Sequence, residues 1–317
     1  MAEPLIVEVT RGPVVESRHE VDLVVTDATG RIADAWGLPD RMVLARSALK
    51  PIQALPLITT GTAAATSIDT RELALACASH AGEPQHLAVV TAWLERQGRH
   101  PRQLECGAHR PLHVPAADDM VRSGLEPTAL HNNCSGKHTG FLAVCGHEGL
   151  DPQGYIAADH PLQRDHVTPA IEDLCRASLT GLEPAVDGCG IPVWPITLLQ
   201  LATGWGQLSR RGAGQEILAA MARHPDLVAG TGRSCTRLME RAAGDAVVKT
   251  GAEGVYCGVD MRSGQSFALK VRDGAARAAE ATAAWVLDRW AAIEHAAPLQ
   301  LTNWAGRPVG EVKIAHP

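Results

Sequence analysis

The 317-residue sequence predicts an α+β fold in which strands from both ends build one antiparallel sheet and a helical region is inserted between them. Three observations carry this. Apolar residues alternate with polar ones near the start, the same alternation returns near residue 245, and the stretch between has helical spacing and helix caps.

LIVEVTRG (5–12) and VDLVVTDATGRIADAW (21–36) read as strands, with Asp27-Ala28-Thr29-Gly30 as the turn between the second and third. Helical signals follow. DTRELALACASH (69–80) places a capping Asp69 three residues before Glu72, and EPQHLAVVTAWLERQG (83–98) has an apolar face that ends at Gly98. GKHTGFLAVCG, HPLQRDHVTPAIEDLCRAS, PITLLQLA and GQEILAAMARH are further helix candidates. DAVVKTG, GVYCGVD and QSFALKVRDG then alternate as strands with a turn at Arg262-Ser263-Gly264, before the alanine-rich helix AARAAEATAAWVLDRWAAI. No linker, repeat or low-complexity tract divides the chain. A single domain over 1–317 is expected, its sheet from about 1–46 and 245–317 and its helical region from about 47–244.

Composition narrows the function. A net charge of -6 and a pI near 6.1 leave no footprint for nucleic acid or an anionic membrane. MAEPLIVEVT lacks a basic leader with an apolar core, and no apolar run approaches the roughly 18 residues that span a bilayer, so a cytoplasmic location is expected. Eight cysteines without CxxC pairs suit reduced thiols rather than a disulfide framework.

The chemistry concentrates in a few segments. RSALKP (46–51) sets Ser47 three residues before Lys50, about one helical turn apart on one face. A lysine neutralised by burial or by a neighbouring cation supplies the base that a free serine lacks. Serine caps are common, so the spacing alone reads first as the start of a helix. It gains weight from VVKTG (247–251), where Lys249 ends a strand, and from Ser79 in ACASHAGEP, beside His80 and Glu83. Serine β-lactamases and penicillin-binding proteins join S-x-x-K, a second serine and K-T-G in one site, although no S-D-N occurs here.

LHNNCSGKHTG (130–140) packs His131, Asn132, Asn133, Cys134, Ser135, Lys137 and His138 just ahead of an apolar helix. With Asp187 and Cys189 of VDGCGIP it could hold a divalent metal, and thiolates favour zinc. Spacing alone favours Cys134, His138 and Cys189 as ligands. GTGRSCTRLM and AEGVYCG read as glycine-assisted turns into a helix and a strand, with Gly230, Gly232 and Gly254 permitting unusual backbone angles. No G-x-x-x-x-G-K-[ST] phosphate loop occurs.

Taken together, RSALKPIQALP, ELALACASHAGE, LECGAHRP, LHNNCSGKHTGFL, VDGCGIP, GTGR and VVKTGAEGVYCG resemble the rhizobial-type L-asparaginase family from about residue 5 onward. The resemblance implies a fold like that of serine β-lactamases and penicillin-binding proteins, hydrolysis of L-asparagine to L-aspartate and ammonia, and a homodimer. It also implies two serine–lysine tandems, Ser47 with Lys50 and Ser79 with a later lysine, here placed at Lys249 with Lys270 as the alternative. A zinc site on Cys134, Lys137 and Cys189 is implied as well, replacing His138 by Lys137 among the ligands. Asp187 and His138 would then orient ligands or bound water. Arg46, His80, Asn132, Asn133, His138 and Asp187 are the candidate substrate-binding residues.

On this reading Ser47, deprotonated through Lys50, attacks the side-chain amide, and Ser79 with its lysine relays protons. Three other readings stay open: a cytoplasmic β-lactamase-like or other amidohydrolase, a hydrolase whose nucleophile is zinc-bound, and a zinc-stabilised binding protein without catalysis.

Overall fold

The structure, a computed structural model, describes residues 2–179, 181–290, 292–293 and 298–315. The chain opens with β1 (Leu5–Arg11), β2 (Val14–Thr26), β3 (Ile32–Trp36) and the short β4 (Met42–Leu44). A 3₁₀ turn, Arg46–Leu49, runs into α1 (Lys50–Gln53), followed by α2 (Pro56–Thr59), α3 (Thr62–Ala65), α4 (Thr70–Ala76), α5 (Pro84–Arg96), α6 (Val114–Arg122), α7 (Ser135–Glu148) and α8 (Thr168–Cys175). Short strands β5 (Ala185–Val186), β6 (Pro192–Val193) and β7 (Pro195–Thr197) precede α9 (Leu198–Arg210), α10 (Gly212–Arg223), α11 (Pro225–Val228) and α12 (Ser234–Ala242). The chain then returns to the sheet with β8 (Ala246–Thr250), β9 (Val255–Asp260) and β10 (Ser266–Val271), crosses it as α13 (Ala276–Arg289), and closes with β11 (Leu299–Thr302) and β12 (Pro308–Ile314).

This is the expected α+β arrangement, with an antiparallel sheet made from both ends and helices inserted between them. The strand order is β11-β12-β1-β2-β10-β9-β8, and β3 joins β2 on the side of β1. β2 makes this possible by its length. Its first part pairs with β1 up to Val21, and its last residues pair with β10 on one side and β3 on the other. Every residue of β9 is buried, as happens when both faces of a strand are covered. Gly258 of β9 is required there, since a Cβ would meet the Phe267 ring at 2.6 Å. Gly206 similarly lets α9 lie close on Ser266 of β10.

Local signals were largely obeyed. Asp69 accepts from the backbone of Arg71 and Glu72 while Glu72 reaches back to Asp69 N–H, closing the expected capping box. Several segments differ, three of them as follows. PITLLQLA begins as strand β7, which pairs with β4, and turns helical at Leu198. HPLQRDHVTP starts as a π-helical turn, Leu162–Val167, because Pro169 has no N–H for the carbonyl four residues back. The alanine-rich helix stops at Arg289, four residues early, and Ala291 of its expected end lies outside the described residues. No described helix is long and apolar enough to cross a membrane.

Candidate active site

Ser47 lies in the first turn of the 3₁₀ segment, and the cap position belongs to Ala45. Arg46 between them has φ of 51°, a left-handed conformation unusual for a residue with a side chain. Two contacts hold this bend. Arg46 Nε donates to Asp187 Oδ1 at 2.6 Å, and the indole of Trp205 on α9 donates to Ala48 O at 3.1 Å. Pro51 sits where its missing N–H is harmless, at the start of α1. Ser47 is half-buried, and its hydroxyl forms no hydrogen bond among the described residues.

Lys50, one turn on, is fully buried and points at Ser79. Its Nζ donates to Ser79 Oγ at 3.0 Å, to Asn133 O at 3.5 Å and to Ala78 O. Lys249, at the end of β8, donates to the same Ser79 Oγ at 2.8 Å and to Thr250 O at 2.8 Å. One serine hydroxyl is thus held between two buried lysines. Burial first, and the Lys50 charge second, hold Lys249 down to about 7 from its ordinary 10.5. Lys270 is not part of this group, since its Nζ turns to Val271 O.

A second cluster adjoins the first. Lys137 Nζ, on the first turn of α7, lies 3.1 Å from Cys189 Sγ, and Cys134 and Cys189 share a hydrogen bond. That bond, against burial, holds the Cys134 thiol well below its usual range and pushes Cys189 up, so the pair keeps one proton. Burial opposes the Lys137 ammonium, but the Cys189 and Cys134 sulfurs more than offset it and its pKa rises. No three described His, Cys, Asp or Glu side chains converge as a metal cluster. The donor set that does converge is two thiols and a lysine amine, borderline-soft donors of the kind zinc accepts.

The other expected residues frame these two clusters. Asp187 joins Arg46 to the Lys137 side, and although burial raises its pKa, Lys137 and Arg46 hold it low, so it is an anion. Asn132 orients Cys134, accepting the Cys134 N–H at 2.8 Å while its amide donates to Cys106 O at 2.7 Å. Asn133 Oδ1 lies 3.3 Å from Cys134 Sγ. His80 accepts from Gly82 N at Nδ1, which leaves Nε2–H for Ser135 Oγ at 2.8 Å. It is neutral because burial, then His86, depress its pKa. His138 contacts Tyr155 OH through Nδ1 at 2.8 Å and not the sulfurs, and its Nε2 is buried without a partner among the described residues. Sequence reading passed over His109, whose Nε2 accepts the Asn133 N–H at 2.9 Å, and Tyr155. Only tertiary contact reveals either, although LECGAHRP put His109 among the telling segments.

The family model described as L-asparaginase II matches residues 7–314. The chain belongs to that family. No curated protein matches the chain. Among solved structures it is similar to a β-lactamase candidate from Bacteroides dorei DSM 17855, with 14% identity, TM-score 0.41, and coverage of 79% of this chain and 84% of that one. It is also similar to a β-lactamase from Mycobacterium bovis, with 14% identity, TM-score 0.42, and coverage of 85% and 94%.

Membership of the L-asparaginase II family makes the chain an amidohydrolase. The three buried lysines then have a chemical rationale. Lys50, Lys137 and Lys249 rank among the largest fully buried side chains, and each ammonium taken out of water costs several kcal/mol unless compensated. An L-asparaginase II chain that keeps them around one serine and two thiols has concentrated that cost in one place.

Proposed function

We propose that the protein hydrolyses the side-chain amide of L-asparagine to L-aspartate and ammonia, with Ser47 as the nucleophile. The observation that carries this is Ser79 Oγ held between Lys50 and Lys249, with Lys50 three residues along from Ser47, whose hydroxyl makes no hydrogen bond among the described residues. The relay runs in one direction. Lys50 passes a proton through Ser79 to the Lys249 amine, which is partly neutral near pH 7, and so becomes free to take the Ser47 proton. Ser47 Oγ then bonds to the amide carbon, the C–N bond breaks, and the nitrogen leaves as ammonia with the relayed proton. Water opens the resulting β-aspartyl ester by the same relay, and Ser47 recovers its proton.

Asp187 is suited to the substrate's α-ammonium. Cys134, Lys137 and Cys189 fit a zinc ion, and zinc, when bound, would supply a fixed positive charge that positions polar groups of the substrate. A serine nucleophile needs no metal hydroxide. Cytoplasmic residence agrees with eight cysteines that are all free. A homodimer is the assembly proposed, and light scattering on the purified protein measures it.

Ammonia release from asparagine and glutamine, with the colour change of nitrocefin as the β-lactam control, is the direct test. Ser47→Ala and Lys50→Ala should each lower the rate with asparagine by about three or more orders of magnitude. Near-wild-type turnover in Ser47→Ala would end the covalent scheme on Ser47, and turnover of nitrocefin without asparagine would replace the substrate class. For the metal, about one zinc per chain is expected by elemental analysis, lost in Cys189→Ser. Zinc retained by that variant would move the site elsewhere.

A further inference from the structure

The loop entering α12 carries a guanidinium that the scheme above leaves unused. Gly230 and Gly232 have φ of 122° and 69°, and the loop is tied on both sides. From the side of Ser79, Glu83 accepts Thr231 N–H at 2.7 Å and Thr231 Oγ1–H at 2.8 Å on its two carboxylate oxygens. From the side of Lys249, Cys235 Sγ accepts Thr250 N–H at 3.2 Å. Arg233 stands between these ties.

Arg233 is half-buried, and its charge is close enough to act on Lys249. Its guanidinium makes no hydrogen bond or ion pair among the described residues. The other cations here are engaged: Arg46 by Asp187, Lys137 by Cys189, and Lys50 and Lys249 by Ser79. An amino-acid amide brings two charges, an α-ammonium and an α-carboxylate. Asp187, whose Oδ1 takes Arg46 while its Oδ2 makes no hydrogen bond among the described residues, answers the first, and the second needs a cation that is not already paired. A guanidinium fork matches a carboxylate with two parallel hydrogen bonds, and a loop fixed at both ends holds that fork in place before binding.

We propose that Arg233 binds the α-carboxylate of the substrate, so that the enzyme selects free asparagine over asparagine whose carboxyl is blocked. This rests on the asparaginase reading above. Steady-state kinetics of Arg233→Gln and Arg233→Lys provide the test, with β-alaninamide, which is asparagine without its α-carboxylate, as substrate or competitive inhibitor. In Arg233→Gln the KM for asparagine should rise roughly 10- to 100-fold, the range of a charge-assisted hydrogen bond, with kcat within about threefold. Arg233→Lys should recover part of the loss, and β-alaninamide should bind both variants as it binds the wild type. An unchanged KM for asparagine, or an equal loss for asparagine and β-alaninamide, would overturn the assignment. Wild-type protein that releases no ammonia from asparagine would count against the asparaginase reading alone. Calorimetry of L-aspartate against β-alanine, on wild type and Arg233→Gln, then still decides Arg233: selective loss of aspartate supports it, and equal or no loss sinks it.

Discussion

Lys249 is the residue whose environment says most about pH. Its amine, held to about 7 by burial and by Lys50, must be neutral to end the proposed relay. With asparagine, kcat/KM should therefore climb about tenfold per pH unit up to roughly 7 and then level, and a profile flat from pH 5 to 8 would remove Lys249 from the relay. Stability follows with its own sign. The folded pKa lies below the ordinary 10.5, so between about 7 and 10.5 the unfolded chain binds more protons and stability rises with pH, while below 7 the burial penalty is complete. Replacing Lys249 by Met removes that titration. Urea midpoints at pH 6.5 and 9 should then differ less for Lys249→Met than for wild type, with the variant gaining most at pH 6.5. The sequence made Ser47, Lys50, Ser79 and Lys249 legible as types at a spacing. It could not show that Lys50 turns to Ser79, because Ala78, Ser79 and Asn133 reach Lys50 from other elements.

Between elements, the contact of α4 with α7 sets the distance between the proton relay and the thiol cluster. Ser79 follows α4, and Cys134 and Lys137 sit at the start of α7. Gly136 is the point of closest approach: a Cβ there would meet Leu75 O at 2.3 Å and Leu75 Cγ at 2.6 Å. Backbone cannot yield as a side-chain end can. Gly136→Ala should destabilise the protein by about 1–3 kcal/mol, the usual range for overpacking, measured by urea unfolding, and should lower asparagine turnover as Lys137 shifts from Cys189. An unchanged midpoint would mean that the helices separate freely. Periodicity and caps announced most helices, as with the Asp69–Glu72 box. They failed where partners decide the outcome: Pro195–Thr197 is strand because β4 lies beside it, and nothing in PITLLQLA records that neighbour. Val114–Arg122 escaped notice because it is short, opens on Val-Pro without a capping side chain, and buries only Met120.

At the scale of the molecule, both ends of the chain meet in one sheet, and alternation at the two termini was enough to foresee it. The last strands were foreseen only as a region, since in LTNWAGRPVGEVKI short alternating runs flank a turn and Val312 alone is deeply buried. Their place in the sheet gives them a definite job. β12 pairs with β1 at Val7↔Ile314, Glu8↔Lys313 and Val9↔Val312, and α13 packs under the same strand. Without residues 298–317, β1 would become an edge strand with a free row of N–H and C=O groups beside buried Val7 and Val9, which invites pairing with other chains. The truncated chain should unfold at a lower temperature and aggregate at concentrations where the full chain stays monodisperse, measured by calorimetry and light scattering. The truncation leaves β2, β8 and the serine–lysine group unaltered in sequence, so any soluble fraction should keep asparagine turnover. Loss of turnover in that soluble fraction would show that the hairpin reaches the site through the sheet, whereas an unchanged unfolding temperature would make β11 and β12 an accessory rather than a structural edge.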